Sequence, residues 1–185
     1  ALSITSGMKH SAVPLLSRLM RKSGNVSKLD AANSLLAVIA PVFTGKGQLF
    51  TLVDSWYMKW PYLREVRKRG FHAIGQVRRD TALYAMPAQQ QGKGRPRKYG
   101  EKYTQELVTT LKEHRRRVFL YGKYQWVRYR SAVCLAKFMK GCSVRAVWMQ
   151  FEDSSRNLSK QRLLLSTCAT LTAEDVFYTM RKDGP

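Results

Sequence analysis

Apolar and polar positions along the chain first define a helix. In "SKLDAANSLLAVIAPVF", from Ser27, the apolar residues at 29, 32, 35, 36 and 39 recur at the helical period. Ser27 and Asp30 form an N-terminal capping box with a shortened acid. Pro41 is expected to end this helix near Ala40, because the residue before a proline is driven from the helical region. "TGKGQ" then reads as a turn and "LFTLVD" as a strand that halts at a carboxylate, Asp54. A short helix, "YLREVRKRG", opens near Pro61 and closes at Gly70, followed by the strand "FHAIGQVRR". At the start, "ALSITSG" reads as a strand without a lead-in, as though cut into an existing sheet.

Strands alternating with helices predict an α/β sheet with at least partly parallel pairing. In such sheets functional groups collect at the carboxyl ends of strands, where Asp54 falls. Beyond Asp80 the pattern changes. "QQQGKGRPRKYGEKY" is polar and rich in Gly and basic residues, so it reads as a loop. After a helix expected over 103–114, "RRVFLYGKYQWVRYRSAVCLA", "SVRAVWMQFED" and "QRLLLSTC" read as strands. Alternation in "YQWVRYR" puts Tyr124, Trp126 and Arg128 on one face, and Gln125, Val127 and Tyr129 on the other. A last helix opens in "LTAEDVFYTMRK", with Thr172 as N-cap and Glu174 and Asp175 in its first turn.

Charge adds a partner to this outline. Among 185 residues, 33 Lys and Arg against 12 Asp and Glu give a formal charge of +21. A field of that sign accumulates polyanions, of which nucleic acid is the commonest, and an anionic membrane is the rival. No run of apolar residues approaches the ~18 needed to span a bilayer, which weakens the membrane reading. Cys134, Cys142 and Cys168 are odd in number and lack CxxC spacing, so they read as reduced core fillers. His10, His72 and His114 are scattered, against a His/Cys zinc site.

Two stretches carry candidate chemistry. "KGRPRK" sets Arg95, Arg97 and Lys98 around a proline that keeps the backbone extended, so that guanidinium groups can enter a narrow groove. It is similar to the AT-hook core, with Lys93 in the first Arg position; a solvated charged loop is the bland alternative. Basic residues beside aromatics in "KYQWVRYR" suit stacking or phosphate contacts, and equally an ordinary core strand. Asp54 can hold a cation, cap a helix, or mark where a strand meets water. Metal-assisted phosphodiester chemistry requires two or three such acids converging from separate positions. Asp80, after two arginines, is expected to pair with one of them, a contact of little worth when exposed.

A longer resemblance joins these parts. "LFTLVDSWYMKWPYLREVRKRGFHAIGQVRRDTALYAMP", then "GKGRPRKYG", then "RLLLSTCATLTAEDVFYTMR" resemble, in order, the central part of DDE transposases of bacterial insertion sequences, in the group whose core carries a β-strand insertion. The resemblance implies an RNase H-like core with an Asp on the first strand, a second Asp ending the fourth, and a Glu on a helix after the insertion. Asp54, followed by Ser55 and Tyr57, matches the second Asp, and the first would lie upstream of Ala1. Tyr178 and Arg181 fit the family's Tyr–Arg–Glu spacing and would contact DNA phosphates, but the Glu position falls on Pro185. Glu152 is a substitute candidate, although "FEDSSRN" reads as a turn in which an exposed acid is expected; Asp183 lies two residues early on the helix.

The expected fold is therefore α/β, a partial RNase H-like core with a β-rich insertion. Residues 1–80 would be the later part of the core, 81–168 the basic insertion, and 169–185 the start of the helix expected to carry the last acid. By resemblance the chain is a truncated transposase: Asp54 holds Mg²⁺ or Mn²⁺, while Lys93, Arg95, Arg97, Lys98, Tyr178 and Arg181 contact DNA. A lone carboxylate cannot fix two ions, so the chain by itself is expected to be catalytically inactive. The implied setting is a bacterial cytoplasm, associated with the nucleoid, with a homodimer on DNA left open. The alternative is a non-catalytic nucleic-acid-binding module that keeps Asp54 as a structural remnant.

Overall fold

The computed structural model describes residues 2–6, 9–13, 17, 27–43, 45, 47–89, 94–120 and 123–179. Seven strands form one mixed sheet: β3 (Phe50–Val53), β4 (His72–Val77), β5 (Leu83–Tyr84), β6 (His114–Leu120), β7 (Lys123–Ala136), β8 (Cys142–Glu152) and β9 (Arg162–Ser166). Their order is β3-β4-β9-β8-β7-β5, with β6 also paired to β7. Only β3 and β4 run parallel, linked by helix α2 (Trp60–Lys68), and every other pair is antiparallel. This mixed α/β sheet is consistent with the partial RNase H-like fold expected.

Strands β1 (Leu2–Ser6) and β2 (Lys9–Val13) pair only with each other. The sequence reading put the opening strand in an existing sheet; among the described residues it pairs instead with β2 alone. Closing so short a loop costs little chain entropy, which lets a neighbouring partner win.

Each face of the large sheet has its own core. On one side, Ala73 and Val77 of β4, Leu163 and Leu165 of β9, and Ala146 and Trp148 of β8 pack against Leu36 and Ala40 of α1 (Lys28–Phe43) and Leu63 and Val66 of α2. On the other, Ile74, Leu164, Val147 and Met149 pack against Ala173, Val176 and Phe177 of α4 (Ala173–Thr179). Both faces of β4, β8 and β9 are covered, which explains their nearly continuous apolar runs.

The helix starts follow local chemistry. Ser27 Oγ accepts from the Asp30 N–H at 3.1 Å, and Asp30 Oδ2 accepts from the Ser27 N–H at 3.2 Å. Thr172 and Asp175 repeat the exchange at α4, both at 3.1 Å. Two helix bounds depart from expectation. Helix α1 continues to Phe43 with Pro41 inside it. Proline's fixed φ is itself helical, so the chain can complete a last turn at the cost of one forfeited N–H bond and the ring's crowding of the carbonyl four residues back. The helix expected over 103–114 is only α3 (Gln105–Thr110), capped by Thr104. From His114 the chain joins β7 instead, with the His114 ring stacked on Tyr129 at 5.2 Å.

Candidate functional site

Asp54 is the first residue after β3, at the edge of the sheet. Strand β3 delivers it because Val53 pairs with Gly75 of β4 at a close approach. A Cβ on Gly75 would stand 2.6 Å from the Val53 carbonyl oxygen. Beyond the strand, Asp54 Oδ1 accepts from the N–H groups of Trp56 at 2.8 Å and Tyr57 at 3.3 Å. The carboxylate thereby folds its own turn. Its second oxygen, Oδ2, accepts no hydrogen bond among the described residues, and the side chain is exposed. Asp54 therefore caps a turn through one oxygen and leaves the other open. Among the described residues no group of three or more His, Cys, Asp or Glu stands ready to hold a metal ion. These residues alone do not fit a two-ion centre.

Glu152 corrects the sequence reading. It is not an exposed turn acid but the last residue of β8, with its side chain 1% exposed. Arg115 grips it with two bonds of 3.0 and 2.8 Å, and Arg128 adds a third at 2.9 Å. The Arg115 guanidinium, then that of Arg128, holds its carboxyl down to about 2. With three guanidinium N–H bonds on its two oxygens, Glu152 is a charge-paired brace rather than a free metal ligand.

The brace organises a surface. Arg128 also lies 3.5 Å from Glu113, and Glu113 bonds Arg130 at 2.7 Å. The Arg115 guanidinium sits over the Trp126 ring at 3.9 Å, and that of Arg117 over Tyr124 at 4.9 Å. The expected alternation holds. Val127 and Tyr129 are buried, while Tyr124 and Trp126 face out with 65% and 39% exposure. Beside them a cleft of about 560 Å³ lies between the start of β7 and the turn after β8, lined by Lys123, Trp126, Phe151, Glu152 and Asn157 among others. Sequence reasoning missed Arg115 and Arg117. Their signal was the alternation in "HRRRVFL", which puts both arginines on the face of Trp126 once β6 pairs with β7.

The remaining predicted residues lie elsewhere. Arg95, Arg97 and Lys98 are exposed in an irregular segment, as expected of a loop. Lys98 and Tyr99 approach Gly141 in the turn between β7 and β8, where a Cβ would meet either side chain at 3.2 Å. That turn and Glu152 are at opposite ends of β8, so two basic surfaces occupy the two ends of the β7–β8 ribbon. No hydrogen bond or ion pair among the described residues joins Asp54 to Arg95, Arg97 or Lys98. Tyr178 is 50% exposed on α4, across the sheet from α1 and α2. Lys93, Arg181, Asp183 and Pro185 lie outside the described residues. Asp80 pairs with Arg78 at 2.8 and 3.1 Å in the open, as expected. No helix among the described residues is long and apolar enough to cross a membrane.

No curated protein matches the chain. The profile of the DDE superfamily endonucleases matches residues 11–133, a span holding β3, Asp54, α2, β4, β6 and most of β7. Covering well over half the sequence, that match places the chain in the DDE superfamily endonuclease family.

Proposed function

We infer that this chain serves DNA transposition as part of a DDE transposase, with Asp54 as one ligand of a Mg²⁺ or Mn²⁺ site. The observation that carries the reading is the placement of Asp54. It emerges from the carboxyl end of a parallel strand pair, with one oxygen unbonded, in a chain of a family that acts on DNA with divalent metal. DNA is held by the arginine-rich face of β6 and β7 and by the exposed loop of Arg95, Arg97 and Lys98, with Tyr178 of α4, and Arg181 beyond the described residues, as phosphate contacts. The +21 charge makes that binding strongly salt-dependent through counterion release. Asp54 takes one metal position. The other ligands are not among the described residues, and no reaction step is assigned to this chain alone.

A second reading, a nucleic-acid-binding module without catalysis, draws on the absence of a three-ligand cluster among the described residues. Titration calorimetry with Mn²⁺ separates the two. Binding by the wild-type chain that Asp54→Asn abolishes marks a ligand, while equal binding, or none, by both marks a remnant. The purified chain is expected to show no Mg²⁺-dependent DNA cleavage. Cleavage that Asp54→Asn removes would reverse that expectation.

A further inference from the structure

Next to Asp54 an exposed indole gathers two cations that the reading above leaves without a task. The backbone N–H of Trp56 donates to Asp54 Oδ1 at 2.8 Å, so ring and acid belong to one turn. The ring is 40% exposed, yet it is supported. Tyr57 meets it edge-on at 5.2 Å, and Tyr57 is met in turn at 6.0 Å by Tyr62, buried on α2. The Lys59 ammonium stands 4.2 Å from the ring centroid and that of Lys28, at the start of α1, 5.6 Å. The two like charges are thus within about one screening length of each other, ~10 Å at 0.1 M salt. Among the described residues neither ammonium has an ion-pair partner, and the first turn of α2 holds no acid.

Two ammonium groups without ion-pair partners around an open aromatic face suit a ligand that brings both negative charge and a flat π surface. A nucleotide of DNA is such a ligand, and its base is available only where the strand is unpaired. We propose that Trp56, with Lys59 and Lys28, is a stacking platform for an unpaired nucleotide of a DNA strand beside Asp54. A base on an aromatic ring outweighs an exposed cation–π contact. The base therefore takes the place of the Lys59 ammonium over the indole, and the lysine swings to a neighbouring phosphate. The stacked base then fixes which phosphate lies nearest Asp54. The platform rests on the DNA-acting reading of the chain, but not on Asp54 binding metal.

The test is fluorescence anisotropy without metal, using a labelled single-stranded oligothymidine and a blunt duplex with G·C-clamped ends. Trp56→Ala is expected to weaken single-strand binding about tenfold, the scale of one lost base stack, and to leave the duplex unchanged. Trp56→Phe should restore most of the loss. Trp56→Leu keeps apolar bulk without a π face and should not, which reads stacking even if alanine disturbs the turn. Lys28→Gln with Lys59→Gln should lower the slope of log affinity against log salt by about 1.4 on the single strand. Single-strand affinity of Trp56→Leu within twofold of wild type, or an equal loss on both probes, would overturn the platform. Asp54→Asn keeps the failures apart: Mn²⁺ binding unaffected by it sinks the metal reading while the Trp56 result stands, and the converse pattern sinks the platform alone.

Discussion

Placing one methyl group on Gly75 tests how the sheet positions Asp54. Its Cβ would lie 2.6 Å from the Val53 carbonyl oxygen and 2.8 Å from both Cγ and Sδ of Met58. Ordinary contact begins near 3.4 Å, so the Val53 oxygen must withdraw by about 0.8 Å and the two Met58 atoms by about 0.6 Å. The Met58 side chain can rotate away. The Val53 oxygen is backbone, in the strand that ends at Asp54, and retreats only if β3 moves against β4. Overpacking of this kind costs about 1–3 kcal/mol, and a backbone obstacle points to the upper half of that range. Alanine returns about 0.5–1 kcal/mol by restricting the unfolded chain. The expected net loss for Gly75→Ala is therefore about 1.5 kcal/mol. In urea, with a slope of about 2 kcal/mol/M, the midpoint falls by about 0.7 M at unchanged slope. Circular dichroism across a urea series reads this directly. Met58→Ala in the Gly75→Ala background should not restore the midpoint, because the Val53 oxygen remains in the way. A midpoint for Gly75→Ala equal to or above that of wild type would refute the reasoning, and full rescue by Met58→Ala would place the obstacle on the side chain instead.

Two further outcomes follow from buried groups. Glu152 is held at about 2 in the folded chain against an ordinary 4.5, so its contribution to stability is complete above 4.5 and is lost as pH falls through about 2. Glu152→Gln should accordingly show a shallower fall of the thermal midpoint between pH 4.5 and 2 than wild type, and an identical fall would contradict the brace. Burial pushes the Cys134 thiol up to about 12 and leaves it 0% exposed. Cys134→Ser should thus leave the number of thiols titrated by a disulfide reagent at pH 8 unchanged in the native protein and lower it by one in denaturant. A lower native count would show Cys134 to be reachable.

Interactions between near neighbours in sequence were legible before any coordinates. The pairs Ser27 with Asp30 and Thr172 with Asp175 span three residues, and each is decided by side chains too close to miss one another. Pro61 in the first turn of α2 and Gly70 just past its end, at a φ of +77°, mark that helix by backbone chemistry alone. The alternation over 124–129 likewise assigned the buried and open faces of β7, because strand geometry leaves a side chain only two directions. The end of β3 at Asp54 was equally plain, since an apolar run stops at a carboxylate.

Pairing between distant segments decided what the sequence by itself left open or misassigned. Glu152 stands among turn residues in the sequence. Its burial comes from Arg115 and Arg128, 37 and 24 positions away, which reach it only when β6, β7 and β8 lie side by side. The same pairing drew His114 from the expected helix end into β6 and set Arg115 and Arg117 over two aromatic rings. The close approach at Gly75 and the cluster of Lys28 and Lys59 at Trp56 also depend on how β3, α1 and α2 pack. Local bonds need only the backbone's short reach and so are written in adjacent residues. Contacts across a sheet exist only after loop closure has brought the strands together, and their partners follow from register, which composition and periodicity along one strand do not encode.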